Sequence, residues 1–364
     1  MLKASDIPGT APLEFKTRCF QLFDGYVWQE HDIFGNSVSR KTRILGLNYD
    51  DDNESTVPGR KIVRLECELE VTEQMGNKFD CLHGGYAAYF DVSELLYPQQ
   101  QGGLIGTIIS AVIHIIAVSN SPQLNMNVNF HAPAMLGSTI RIVNSTLVIS
   151  GRLSSERTHV WFCFIDGDDC ATHLGIQPSS ITLGENSPTL EIVRPIITPP
   201  IEWRPKPPIT DFKLMPGSAS MDVKEAVWTM VEGHTWFGAF CEDIRKTVRL
   251  QSVDGDTVAG KRMSMLTAMT NLGGTLHGGC ACFLVDWWTG VMRHPLDGDR
   301  ISINLNVSFH TSAPEGITIQ LVARSVSVGK RITDSQCEIV DARTGRLLVS
   351  GTHSQITMTK HANL

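Results

Sequence analysis

The run TLHGGCACFLVD, Thr275 to Asp286, sets a histidine and two glycines ahead of a carboxylate. A Gly-Gly step that opens a helix leaves backbone N–H groups exposed at the positive end of the helix dipole, with no side chain in the way. Donors of that kind suit an oxygen that gains negative charge during a reaction. A carboxylate within reach can act as general base on water or as a direct nucleophile, and the sequence does not choose between them. A near copy, CLHGGYAAYFDV, runs from Cys81 to Val92, with its histidine 194 positions before the other. It keeps His83, Gly84 and Gly85 but has Val92 where the later copy has Asp286. Asp91 stands one residue earlier, and one residue on a helix turns a side chain by about 100°. Asp91 should therefore face elsewhere; rescue of that copy by Asp91 or Glu94 is the alternative. An HGG by itself is also a common turn before a helix whose glycines serve packing.

The elements that must hold these residues recur in the same order. LNMNVNFHAPA (Leu124 to Ala134) matches INLNVSFHTSA (Ile303 to Ala313), and STLVISGRL (Ser145 to Leu153) matches RSVSVGKRI (Arg324 to Ile332). Before each HGG, KIVRLECELEV and KRMSMLTAM alternate apolar and polar residues, which predicts strands with one buried face. GCACFLVDWWTGVM is apolar nearly all round, which predicts a helix buried on every side. INLNVSF, TIQLVARSVSV, DSQCEIVD and RLLVSGTHSQITM then read as strands. The implied unit is an α+β domain, one helix wrapped by a curved antiparallel sheet, present twice. His131 and His310 occupy matching strand positions and read as packing or edge residues.

A chain of 364 residues exceeds the size of one ordinary core. Between the copies, residues 188–216 hold eight of the seventeen prolines, a density that blocks helices and ladders and marks a linker. The expected division is a first domain over 1–185 with an N-terminal arm, a linker over 186–219 and a second domain over 220–364. Ser220 or Asp222 is placed to cap the opening helix of the second domain. The copies differ in length after the HGG: His83 to Asn125 is 42 positions and His277 to Asn304 is 27. The additional residues fall in the apolar GLIGTIISAVIHIIAVS, Gly103 to Ser119. With 17 residues and His114 inside it lies at the short limit for a membrane span, so a buried segment is the reading taken. Whether it lengthens the helix, caps a tunnel or is a mispredicted coding segment stays open.

Net charge of −7 gives no general attraction to nucleic acid or anionic membrane. The nine cysteines form no CxxC pair and read as buried thiols rather than disulfides or a zinc site, so no metal is expected. The first residues lack the apolar core of a signal peptide, which makes the cytoplasm the default location and leaves mitochondrion and peroxisome open.

Asn, five residues, His-Gly-Gly, six residues and Asp, followed by a Ser or Thr on a later strand, resembles the hotdog-fold acyl-CoA thioesterases, in particular those similar to phenylacetyl-CoA thioesterase. The second copy has Asn271, His277, Gly278, Gly279, Asp286 and Ser302 in that arrangement; the first has Asn77, His83, Gly84 and Gly85, with Val92 and Gln123 in the last two places. The resemblance implies two tandem hotdog domains and sites shared between the halves. One site would combine Asn77, His83 and Gly84 with Asp286 and Ser302. The other would combine Asn271, His277 and Gly278 with Val92 and Gln123, and so lack acid and hydroxyl. On this reading Gly84 donates to the thioester oxygen, His83 orients the loop or assists, Asn77 holds thioester or water, Asp286 is base or nucleophile and Ser302 orients it. Arg152, Lys330 and Arg331 follow a glycine turn, and CoA phosphates are their possible ligand against a solvated turn. Trp287 and Trp288 would reshape the acyl pocket.

The resulting expectation is hydrolysis of a fatty or aryl acyl-CoA to free acid and CoA, without cofactor, by a protein that binds no nucleic acid, does not insert stably in membrane, and is a possible homo-oligomer of double hotdog units. The alternatives are a non-catalytic acyl-CoA or lipid-binding protein and a hotdog dehydratase, the latter disfavoured by HGG.

Overall fold

The computed structural model describes residues 3–30, 35, 37, 40–51, 61–77, 80–86, 125–129, 134–149, 154–163, 173–174, 211–231, 242–255, 257–261, 263–264, 269–271, 274–291 and 300–357. In the first half these form α1 (Leu13–Leu22), β1 (Arg43–Asp51), β2 (Lys61–Glu70), β3 (Asn125–Asn129), β4 (Thr139–Ile149), β5 (Ser154–Cys163) and β6 (His173–Leu174). In the second they form α2 (Met221–Val231), α3 (Glu242–Thr247), β7 (Arg249–Val253), β8 (Thr257–Lys261), β9 (Met263–Ser264), α4 (Gly278–Val291), β10 (Arg300–Phe309), β11 (Thr318–Val328), β12 (Ile332–Asp341) and β13 (Leu347–Thr357). The strand expected over KRMSMLTAM begins earlier, as β8 and β9. Val92, Gln123, Asp91, Glu94, His131, Arg152 and the apolar segment 103–119 lie outside the described residues.

The strands build two antiparallel sheets, β1-β2-β4-β5-β6 and β3-β10-β13-β12-β11-β8-β7, with β9 on β11. The fold is therefore α+β. Helix α4 lies in the second sheet against β10, β11, β12 and β13, and all but one of its fourteen residues are buried. Its all-round apolar sequence explains this: Cys282, Phe283, Leu284, Val285, Trp287 and Trp288 are spread around the helix and all buried, and burying a large apolar side chain contributes about 1.5–3 kcal/mol. The Phe283 and Trp287 rings stack at 5.9 Å, and Trp288 meets Trp287 edge-on at 5.4 Å. Asp286 is the one carboxylate in this helix, 6% exposed. Its charge has to be offset by specific partners, because a buried ion costs several kcal/mol when unpaired.

The halves are joined by strand pairing. β3 pairs with β10 so that Asn127 faces Asn306, Asn125 faces Ser308 and Asn129 faces Asn304. Asn127 and Asn306 are equivalent in the two repeats, so this is the register produced by a two-fold axis through that pair.

The repeat also reaches further than HGG alignment indicates. Pro8 O accepts from Leu47 N–H at 2.9 Å, and Pro216 O accepts from Val253 N–H at 3.0 Å. Ala11 N–H returns to Leu47 O, and Ala219 N–H to Val253 O. Lys16 Nζ donates to Gly9 O and Lys224 Nζ to Gly217 O, both at 2.7 Å. Residues 211–219, assigned to the linker from sequence, thus pack on the second half as 3–11 pack on the first.

Candidate active site

Both HGG turns are built alike. His83 N–H donates to Met75 O and His277 N–H to Met269 O, each at 2.9 Å. Leu82 and Leu276 are tied to Ala134 and Ala313, and Gly76 and Thr270 bridge to Leu82 and Leu276. Residues 84–86 are helical, as is α4 from Gly278. In each turn the second glycine's N–H donates to the histidine Nδ1, Gly85 to His83 at 3.1 Å and Gly279 to His277 at 3.0 Å. The asparagines close the loops: Asn77 Oδ1 accepts from Cys81 Sγ at 3.3 Å, and Asn271 Nδ2 donates to Thr275 Oγ1 at 2.9 Å. Gly84 N–H, expected as the oxyanion donor, has no partner among the described residues, whereas Gly85 N–H is occupied.

What differs is the surroundings of each histidine. His83 of the first half meets Asp286 of the second: Nδ1 and Oδ2 are 3.3 Å apart, with both side chains buried. Gly85 makes this approach possible, because a Cβ there would stand 2.7 Å from Phe283 Cα. The second glycine of the motif is thus a crossing point between the halves, a role that the sequence did not reveal. Three residues along α4, on the same face, Asp286 comes level with His83, whose ring also packs 5.6 Å from that of Phe283.

The other carboxylate oxygen is held from the sheet. Ser302 Oγ donates to Asp286 Oδ1 at 2.9 Å. By strict alternation Ser302 would share a face with the half-buried Asn304 and Asn306, opposite the buried Leu305, Val307 and Phe309. A register shift between Ser302 and Asn304 inserts one residue and reverses the phase, so Ser302 turns inward. His353, not anticipated from the sequence, completes the cluster from β13. Its Nε2 lies 2.9 Å from Ser302 Oγ and 3.2 Å from Asp286 Oδ1, and its Nδ1 lies 2.6 Å from Thr289 Oγ1. Gly351 lets α4 sit this close to β13, since a Cβ there would be 2.7 Å from Val285 Cγ1. The available signal for His353 was phase: Val349, Gly351, His353 and Gln355 are the buried positions of one alternation.

Burial holds His83 below the ordinary histidine range; Asp286 opposes that shift and the buried Arg245 of α3 adds to it. Burial likewise lowers His353, with Asp286 opposing. His277 is pushed down to about 3 by burial alone. These imidazoles are neutral at pH 7, so the unfolded chain binds more protons than the folded one as pH drops below 6.5. Folding stability is therefore expected to fall as pH is lowered from 6.5 towards 3, His277 alone contributing at most about 1.4 kcal/mol per pH unit. Urea unfolding across that range checks this, and His277→Ala should flatten the slope.

Lys330 and Arg331 stand exposed at the tip of the β11–β12 hairpin, tied through their carbonyls to Thr357. Among the described residues there is no cluster of His, Cys, Asp or Glu that could hold a metal ion, and no helix is long and apolar enough to cross a membrane.

No family model matches the chain. It is 28% identical over 88 residues to mouse acyl-coenzyme A thioesterase 13, and 27% identical over 88 residues to the human protein of that name; the match covers 24% of this chain and 63% of each relative. The chain resembles the hotdog thioesterases. It spans less than two thirds of these relatives' length. Among solved structures, zebrafish thioesterase superfamily member 2 shares 22% identity, with 37% of this chain and 96% of that one covered and a TM-score of 0.32. A putative thioesterase from Novosphingobium aromaticivorans shares 12% identity over 81% of this chain and 96% of that one, with a TM-score of 0.47.

Proposed function

We propose that the protein hydrolyses an acyl-CoA thioester at one site built from both halves. The observation that carries this reading is the meeting of Asp286, itself held by Ser302, with the HGG turn of the other half at 3.3 Å. A thioester carbonyl seated at the start of the helical turn would direct its oxygen to Gly84 N–H. Asp286 takes a proton from a water, whose oxygen forms the new bond to the carbonyl carbon while the π pair moves onto oxygen. Collapse re-forms the carbonyl and breaks the C–S bond, and the departing CoA sulfur takes the proton back from Asp286. The products are a carboxylic acid and CoA, and the carboxylate is restored without cofactor.

Lys330 and Arg331 are candidates for the CoA phosphates. Ile332 pairs with Ile356, which in turn faces Ile301, next to Ser302. The two cations therefore lie at the end of the sheet that carries Ser302, two strand spacings or about 10 Å across. Arg152 would be their counterpart in the other half.

Release of free thiol from a panel of straight-chain and aryl acyl-CoAs by the full chain tests the reading. Turnover of any of them that is lost in Asp286→Asn supports it. Tight acyl-CoA binding without thiol release would replace it with the binding-protein alternative.

A further inference from the structure

We infer that Thr289 is a positioning residue that fixes the tautomer of His353, so that His353 turns a lone pair, not a proton, towards Ser302 and Asp286. The inference deepens the hydrolytic reading and takes from it the role of Asp286. Thr289 is fully buried on α4, one turn beyond Asp286. Its Oγ1 has three neighbours: Val285 O at 2.7 Å, Asp286 O at 3.0 Å and His353 Nδ1 at 2.6 Å. Carbonyl oxygens only accept, and a hydroxyl has one proton. If that proton pointed at His353, two carbonyls would face bare lone pairs on Oγ1 in a buried site. The arrangement that satisfies all three directs the O–H back to the helix carbonyls and leaves Oγ1 to accept from His353 Nδ1–H.

The proton on Nδ1 settles the other end of the ring. A neutral imidazole carries one N–H, and burial favours the neutral form here, so Nε2 is an acceptor. Ser302 Oγ is then 2.9 Å from each of two acceptors, Asp286 Oδ1 and His353 Nε2, with a single proton to give. While Asp286 is charged, that proton belongs to the carboxylate. Once Asp286 has taken a proton from water, the same O–H can exchange its hydrogen bond to Oδ1 for one to His353 Nε2 at the same distance, and the carboxyl is free to return its proton to sulfur. With the opposite tautomer, Nε2–H would bond Ser302 or Asp286 permanently and leave the Ser302 O–H no second acceptor to turn to.

The test uses the full chain with 15N-labelled histidine. In wild type, His353 should show Nδ1 protonated and Nε2 bare at pH 7.5, assigned against His353→Gln. Thr289→Val keeps the shape but removes the acceptor, so the proton is expected to move to Nε2; kcat should fall about 10–100-fold, the usual scale for losing a group that orients another, with KM little changed. Thr289→Ser should restore both tautomer and rate. Protonated Nε2 in wild type overturns the inference whatever the activity, and so does a Val variant with unchanged kcat. If the wild type shows the bare Nε2 but no acyl-CoA is turned over, the tautomer assignment stands and the hydrolytic reading fails.

Discussion

Asp286→Asn is expected to abolish most thiol release and to raise the melting temperature. On the hydrolytic reading the amide cannot take a proton from water, so kcat/KM should fall by about two to four powers of ten. The gain in stability comes from the same atoms. His83 Nδ1 already accepts from Gly85 N–H, yet it lies 3.3 Å from Asp286 Oδ2. Two acceptors therefore face each other across a buried gap, in a site that also carries the cost of a desolvated charge. Asparagine keeps Oδ1 for Ser302 and turns an N–H, in place of an oxygen lone pair, towards the Nδ1 that Gly85 N–H already occupies, so the opposed acceptors are relieved. The exchange should contribute about 1–2 kcal/mol, on the scale of one acceptor–acceptor clash relieved and one buried charge removed, or a few degrees in Tm. Asp286→Ala should lose the activity too, but melt lower, because Ser302, His353 and His83 are left facing a void. Thermal melts and steady-state kinetics on the three proteins separate the cases. An Asn variant that retains most of kcat/KM removes Asp286 from the chemistry, and one that melts below wild type removes the facing acceptors from the ground state.

That tension between Asp286 and His83 marks where sequence reasoning stops. Residue type and spacing carried the repeats and the buried helix, because those features rest on local period, whereas the pairing of Asp286 with Ser302 was implied only by the resemblance to the hotdog thioesterases. Ser302 faces inward only through a bulge, which alternation by itself would have denied. His353 and Thr289 have no spacing signal of their own: one needs the phase of β13, the other the depth at which Gly351 seats α4. The duplicated arms show a different limit. Pro8-Gly9-Thr10-Ala11 and Pro216-Gly217-Ser218-Ala219 are legible as a pair, but Lys16 precedes His83 by 67 positions and Lys224 precedes His277 by 53. An alignment anchored on HGG slides past them, and the surrounding prolines then read as linker. Gly85 was legible as a glycine that allows close packing, but its neighbour was not, since what it makes room for is Phe283 of the other half.

His83→Ala should cripple the protein, whereas His277→Ala should leave turnover close to wild type. The two turns hold the same backbone and the same Gly N–H to histidine bond, so a purely structural role predicts equal losses, about 1 kcal/mol of stability each. They are unequal in what they face. His83 lies on Asp286 across the join between the halves, while the displaced proton affinity of His277 is explained by burial alone. Loss of His83 frees Gly85 N–H, loosens the turn that presents Gly84, and removes a neighbour of the carboxylate. A fall in kcat/KM of about a hundredfold is the scale for removing one preorganised group at a developing charge. Loss of His277 should lower the melting temperature at pH 7 by an amount similar to that in His83→Ala, and both losses should reduce the acid sensitivity, because burial lowers both histidines. Kinetics and urea unfolding of both variants at pH 5 and pH 7.5 decide it. Equal kinetic losses in the two would mean that both turns serve only the fold, and a larger loss in His277→Ala would place the working site within the second half, with Asp286 serving its own HGG.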